Sequence, residues 1–102
     1  MRVIAKRTLR QFWEQPHCAD AQAPLEAWHD TVIDANWTTP QDIKDQFRNA
    51  SIVGNNRVVF NIAGNKYRLV AQIQYQAGIA WVKFIGTHAE YDKIDVETVN
   101  VY

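Results

Sequence analysis

The chain has 102 residues, of which 47% are hydrophobic, and its 11 basic side chains balance its 11 acidic ones. This length predicts a single domain over residues 1–102, and the apolar content excludes a disordered chain. No apolar run is long enough for a membrane span or a signal peptide, and the single Cys18 excludes an internal disulfide. We therefore expect a cytoplasmic protein without a membrane partner.

The first half of the chain predicts helices. After a short β-branched strand at residues 2–5, apolar residues at helical spacing indicate a first helix that ends before Pro16. A second helix is predicted over residues 20–34, and its apolar face is formed by Ala21, Leu25, Trp28 and Val32. Thr39 followed by Pro40 is typical of the cap and first position of a third, short helix.

The second half of the chain has the alternating pattern of strands. Three such runs, at residues 57–62, 66–75 and 79–85, are separated by turn signals at residues 64–65 and 77–78. Strands joined by short turns pair antiparallel, because parallel strands need long crossovers. The predicted fold class is therefore α+β, with N-terminal helices packed on a mainly antiparallel β-sheet.

The net charge is zero, but the charges are segregated along the sequence. The segment from Arg48 to Lys83 holds five bases and no acid. Strand alternation places its polar residues on one sheet face and directs Ala80, Val82 and Phe84 towards the helices. The residues predicted to share the polar face are Arg57, Asn61, Lys66, Arg68 and Lys83. Such a face suits a polyanion, most simply a phosphodiester. For Arg68 or Lys83 taken alone, an ordinary solvent-facing residue is the stronger interpretation.

The sequence after the last strand predicts a single helical turn. Thr87 and Glu90 have the spacing of a capping box, which assigns Glu90 to the cap rather than to catalysis. His88 and Tyr91 then project on the same side at i, i+3, and Asp92 is interpreted as a solvating residue.

These residue types match the needs of RNA cleavage by transesterification. The reaction requires a base, an acid and cations that stabilise the phosphorane. Histidine transfers protons near neutral pH, arginine clamps phosphate and tyrosine stacks on bases. The three scattered histidines and one cysteine show no ligand spacing, so neither a metal nor another cofactor is expected.

The segments carrying these residues resemble the HigB family of bacterial toxins, within the RelE/ParE superfamily. The similarity lies in N-x-x-G-N-x-x-R-L-V-A, from Asn61 to Ala71, and in T-H-x-E-Y-D, from Thr87 to Asp92. The resemblance implies a RelE-like fold and a ribosome-dependent mRNA interferase. Such an enzyme is a metal-independent endoribonuclease that cuts mRNA in the ribosomal A site. It also implies a HigA-type antitoxin, which neutralises the toxin and links it indirectly to DNA.

Carried over by position, the resemblance implies catalytic roles for Arg68, His88 and Tyr91. The expected RNA-binding residues are Arg57, Lys66, Lys83 and Lys93. The neutral net charge departs from the basic character usual in this superfamily, so weak activity away from the ribosome is expected.

Two other functions fit the same scaffold. A ParE-like toxin would block DNA gyrase through protein contacts, and His88 and Tyr91 would then be dispensable. A binding module without chemistry would instead use exposed Trp and Phe side chains as its interface. Core positions are the preferred interpretation for Trp13, Trp28 and Trp37.

Overall fold

A computed structural model describes residues 1–102. The fold is a five-stranded sheet with helices on one face. The elements in chain order are β1 (Arg2–Ile4), α1 (Lys6–Trp13), a 3-10 helix (Pro16–Ala21), α2 (Gln22–Asp34), α3 (Pro40–Gln46), β2 (Ser51–Val53), β3 (Arg57–Ile62), β4 (Tyr67–Gln74), β5 (Ile79–Thr87) and α4 (His88–Tyr91). The strand order is β1-β5-β4-β3-β2, with β1 parallel to β5 and the other pairs antiparallel. The predicted α+β class with a mainly antiparallel sheet is confirmed.

The helices form where the apolar spacing and the caps predict them. α1 buries Leu9, Phe12 and Trp13, and α2 buries the predicted stripe after a preceding 3-10 turn. α3 begins at a capping box in which Thr39 and Asp42 bond to each other's backbone N–H. Trp13, Trp28 and Trp37 are all buried, so the core interpretation of these rings is confirmed. None of the helices combines the length and apolarity that crossing a membrane requires.

The two faces of the sheet are covered by different parts of the chain. The inner face packs against the helices in one cluster of 22 buried residues. The outer face carries a small apolar cluster of Val59, Val70 and Phe84, which is covered by residues 93–102, here called the C-terminal segment. This cover occupies the middle of the outer face, and α4 borders the end of that face.

A β-bulge changes the alternation along β5. Val70 pairs with Phe84 but its neighbour Ala71 pairs with Val82, so Lys83 is an extra residue on β5. Beyond the bulge the side-chain parity is reversed. The prediction that Phe84 faces the helices is therefore wrong: it lies on the outer face, and Ile85 joins the main core instead.

Candidate active site

Directly paired residues of β3, β4 and β5 form three rows across the outer face of the sheet. The rows are Asn61-Arg68-Gly86, Val59-Val70-Phe84 and Arg57-Gln72-Trp81. The C-terminal segment packs on the apolar middle row. The first row ends at α4, and it is there that polar side chains collect.

Arg68 is held in a fixed orientation by the turn between β3 and β4. Its Nη1 donates to the carbonyls of Asn65 at 3.2 Å and Tyr67 at 3.3 Å, and its Nη2 donates to Asn65 Oδ1 at 2.9 Å. The residue is only 9% exposed, and its guanidinium carbon lies 6.0 Å from the ring centroid of Tyr91. These bonds use part of the five-donor guanidinium fork and leave other N–H groups for an anion. Sequence reasoning identified Asn65 only as part of a turn signal. It missed the contact of this residue with Arg68.

The capping box predicted at Thr87 fixes α4 at the end of β5. Thr87 Oγ1 accepts from the Glu90 N–H at 3.1 Å, and Glu90 Oε1 accepts from the Thr87 N–H at 2.8 Å. The backbone N–H of His88 donates to the carbonyl of Lys66 at 3.2 Å, which joins α4 to the turn before β4. A Cβ at Gly86 would lie 2.6 Å from Phe84 Cζ, so any other residue here would have to displace the Phe84 ring.

His88 and Tyr91 project side by side, as predicted. Their ring centroids are 6.4 Å apart, and the His88 side chain is 50% exposed. His88 Nδ1 lies 3.3 Å from Asp92 Oδ2, while Nε2 has no partner. Asp92 was interpreted as a solvating residue, and the structure shows it instead beside the imidazole. Its i, i+4 spacing from His88 was the sequence signal for this contact.

Lys66 does not share the outer face with Arg68, so that prediction is wrong. Its Nζ forms an ion pair with Asp20 on the 3-10 helix and lies 5.5 Å from the ring centroid of Tyr67, an inner-face residue. The Tyr67 hydroxyl also donates to Asp20, at 2.5 Å. Hydrogen bonds from Lys66 and Tyr67 lower the pKa of Asp20, and the bond to Asp20 raises the pKa of Lys66.

Arg57 is on the predicted face but is buried under the C-terminal segment. It is 5% exposed, and its guanidinium donates to the carbonyls of Val96 at 3.0 Å and of Val99. These bonds commit the guanidinium to the C-terminal segment, and the RNA contact of Arg57 stays a prediction. Its role in the structure is to hold the C-terminal segment on the sheet.

The two remaining predicted RNA contacts are accessible. Lys83 is half-buried, lies 5.2 Å from the Trp81 ring centroid and donates to Asn100 Oδ1 at 3.2 Å. Lys93 follows α4, is exposed and makes no side-chain contact with a partner. No group of three or more His, Cys, Asp or Glu side chains is placed to hold a metal ion.

The end of the outer face beside α4 thus combines a fixed cation, an aromatic ring and an imidazole beside a carboxylate. Arg68, Tyr91 and His88 are contiguous, because the Tyr91 ring lies within 6.0 Å of the Arg68 guanidinium carbon and 6.4 Å of the His88 ring. A phosphodiester held by the arginine would lie beside a proton-transfer group and a stacking surface.

Comparison with known proteins places the chain in a family. The model of the HigB toxin family, described as the RelE-like toxic component of a toxin-antitoxin system, matches residues 21–94, which include Arg68, His88 and Tyr91. A protein named mRNA interferase HigB, from Escherichia coli O6:H1 strain CFT073, is 29% identical over 96 residues, which cover 92% of this chain and 91% of the relative. The chain therefore belongs to the HigB toxin family of RelE-like toxins from toxin-antitoxin systems.

Proposed function

We propose that this protein is an mRNA interferase that inhibits translation by cutting mRNA in the ribosomal A site. The observation that carries the proposal is the contiguous set of Arg68, Tyr91 and His88 at the end of the sheet beside α4. The similarity to a protein named mRNA interferase HigB supports the choice of substrate. Residues 1–102 act as one toxin domain in the cytoplasm.

In the proposed mechanism, the 2′-oxygen attacks the neighbouring phosphorus and the bond from phosphorus to the 5′-oxygen breaks. A proton leaves the 2′-hydroxyl, and a proton is delivered to the departing 5′-oxygen. His88 carries out a proton transfer through Nε2, while Asp92 beside Nδ1 orients the ring. These proton transfers need no metal ion.

Arg68 stabilises the charge that develops on the phosphorane. Its orientation is set before RNA arrives, because Asn65 and the Tyr67 carbonyl already hold the guanidinium. A preorganised donor avoids the cost of reorganisation during the reaction. Tyr91 stacks on a base or contacts the 2′-hydroxyl beside the same phosphate.

Lys83 and Lys93 contact the RNA backbone around this centre, whereas Lys66 is engaged by Asp20. The net charge of zero gives little general attraction to free RNA, because backbone affinity grows with the number of cations that meet phosphates. The ribosome therefore supplies the positioned substrate. A HigA-type antitoxin neutralises the toxin and connects it to DNA only indirectly.

The test is cleavage of mRNA on programmed ribosomes by the purified protein. We expect cuts in the A-site codon and far slower cutting of the same RNA without ribosomes. His88→Ala should lower the cleavage rate by at least about a hundredfold, the contribution of a general acid or base. His17→Ala, at an exposed histidine of the 3-10 helix, is the matched control and should cut normally.

Two further arms refine this experiment. Toxin treated with a chelator and desalted before it meets the ribosomes should cut as fast as untreated toxin, and loss of activity would contradict metal independence. A substrate with a sulfur in place of the departing 5′-oxygen needs no proton on its leaving group. It should restore cleavage by His88→Ala if His88 is the acid, and should not if His88 is the base.

A further inference from the structure

A cavity of about 220 Å³ lies at the end of β3, next to the row that contains Arg68. Its lining includes the aromatic residues Phe47 and Phe60 and the polar residues Arg48, Asn49 and Asn61. The space is smaller than the roughly 300–1,000 Å³ of sites for drug-sized ligands, and so suits a single flat ring.

The cavity opens beside a strand edge that no other strand covers. β2 pairs with β3 only from Arg57 to Val59, so the edge of β3 from Phe60 onward has no neighbouring strand on that side. Free strand edges present backbone N–H and C=O groups. These add to the polar groups that a ligand in the cavity could meet.

The polar side chains of the cavity have no partners within the protein. Arg48, Asn49 and Asn61 are all exposed, and none of their side chains makes a hydrogen bond or an ion pair. This contrasts with Arg57, whose guanidinium is committed to backbone carbonyls. Side chains that make no bonds within the folded protein are available to bind a ligand.

The cavity is also close to the proposed cleavage centre. Asn61 pairs directly with Arg68 across β3 and β4, and Gly64 in the cavity wall adjoins Asn65, which holds the Arg68 guanidinium. Directly opposed side chains on one face have Cβ atoms about 4.5–5.5 Å apart. A nucleotide next to a phosphate on Arg68 therefore lies within reach of the cavity.

From these observations we propose that the cavity binds one nucleobase of the mRNA strand beside the scissile phosphate. Single-stranded bases are recognised by stacking on aromatic rings or guanidinium planes and by hydrogen bonds to their edges. Phe47 and Arg48 supply the stacking surfaces, and the amides of Asn49 and Asn61 read the base edge. This inference rests on the proposed function and assigns part of the sequence preference to residues outside the catalytic set.

Nuclear magnetic resonance tests the binding without requiring cleavage. The folded protein is titrated with trinucleotides that carry a 2′-deoxy sugar at the reacting position. The side-chain amide signals of Asn49 and Asn61 should shift, with different size for different bases, while that of the exposed loop residue Asn36 stays fixed. Unmoved Asn49 and Asn61 signals at millimolar trinucleotide overturn the proposal. So do signals that respond to the antitoxin alone, which would make the cavity a protein-docking site.

Cleavage maps on ribosomes test the consequence for specificity. A variant combining Asn49→Ala and Asn61→Ala should still cut, but its preference for one nucleotide beside the cut should fall about tenfold, the value of one amide hydrogen bond. Asn36→Ala should keep the wild-type preference. An unchanged preference in the double variant overturns the nucleobase site and leaves the nuclease intact. Failure of the wild-type protein to cut contradicts the proposed function, and the titration then decides the binding question alone.

Discussion

Replacing Arg68 by alanine separates its role in stability from its role in cleavage. The guanidinium makes three hydrogen bonds, all to Asn65 and Tyr67, which lie within three positions of it in sequence. The Asn65 acceptors lie in the turn and the Tyr67 carbonyl is buried on β4, so loss of the three bonds should cost about 1–3 kcal/mol of unfolding free energy. The folded state survives a loss of this size if the stability is typical of a small domain.

The loss in cleavage should be larger. One preorganised electrostatic donor contributes about 3–4 kcal/mol where charge develops, so Arg68→Ala should slow cleavage at least about a hundredfold. Arg68→Lys keeps the charge but loses the planar fork to Asn65, and should give an intermediate rate. Arg10→Ala removes an exposed arginine of α1 and should leave the rate unchanged.

The assay is single-turnover cleavage on programmed ribosomes, with thermal unfolding followed by circular dichroism for each variant. A folded Arg68→Ala protein that cuts within about threefold of the wild-type rate would refute the phosphate clamp. Loss of a donor that contributes about 3 kcal/mol must slow cleavage by much more than threefold. A different outcome would assign Arg68 a purely structural role. In that case the variant loses stability and cleavage to the same extent at saturating toxin and regains both together at low temperature.

Three other variants test separate contacts. Gly86→Ala places a methyl group against an aromatic ring and should lower the unfolding free energy by about 1–3 kcal/mol and slow cleavage; a melting temperature equal to wild type would contradict the packing at α4. Burial lowers the pKa of His29 below its ordinary value, so its stability contribution is present above about pH 6.5 and is lost as the pH falls towards the folded-state pKa. The melting temperature of His29→Gln should therefore fall less than that of the control His17→Gln between neutral and mildly acidic pH, and parallel curves would exclude this effect. Arg57→Ala removes the donor to the carbonyls of the C-terminal segment, so trypsin should cut after Lys93 faster than in wild type, and an unchanged rate would show that the segment is held by its apolar contacts alone.

The local features of this fold were predictable because they depend on neighbouring residues. Alternation identifies the faces of β3 and β4, and the capping boxes at Thr39 and Thr87 depend on residues three positions apart. The same local spacing brings His88 and Tyr91 together. Predicting these features does not require knowing which distant segments of the chain come into contact.

The misplaced residues depend on contacts that the local sequence does not encode. The bulge at Lys83 arises from the pairing of two strands and reverses the side-chain parity beyond it. Lys66 pairs with Asp20, 46 residues away in sequence, and Arg57 is covered by the C-terminal segment, where its acceptor Val96 is 39 residues away. Charge and alternation showed that these residues were cations on or near the sheet, but not what they would meet.

The cavity beside Asn61 also depends on contacts that the local sequence does not encode. Its walls come from the end of α3, the residues before β2 and the end of β3, and no sequence motif joins these segments. Asn61 was predicted to lie on the polar face, but the neighbouring rings and the uncovered strand edge appear only in the folded chain.

Mapping of mRNA 5′ ends in cells that express the toxin, with translation and DNA replication followed separately, tests the proposed activity most directly. We predict new 5′ ends within the codons of translated messages and an early stop in translation. Both should be absent from cells expressing Arg68→Ala or His88→Ala at equal protein levels. Replication arrest with intact mRNA, or full toxicity of both variants, would contradict an mRNA interferase built on this site.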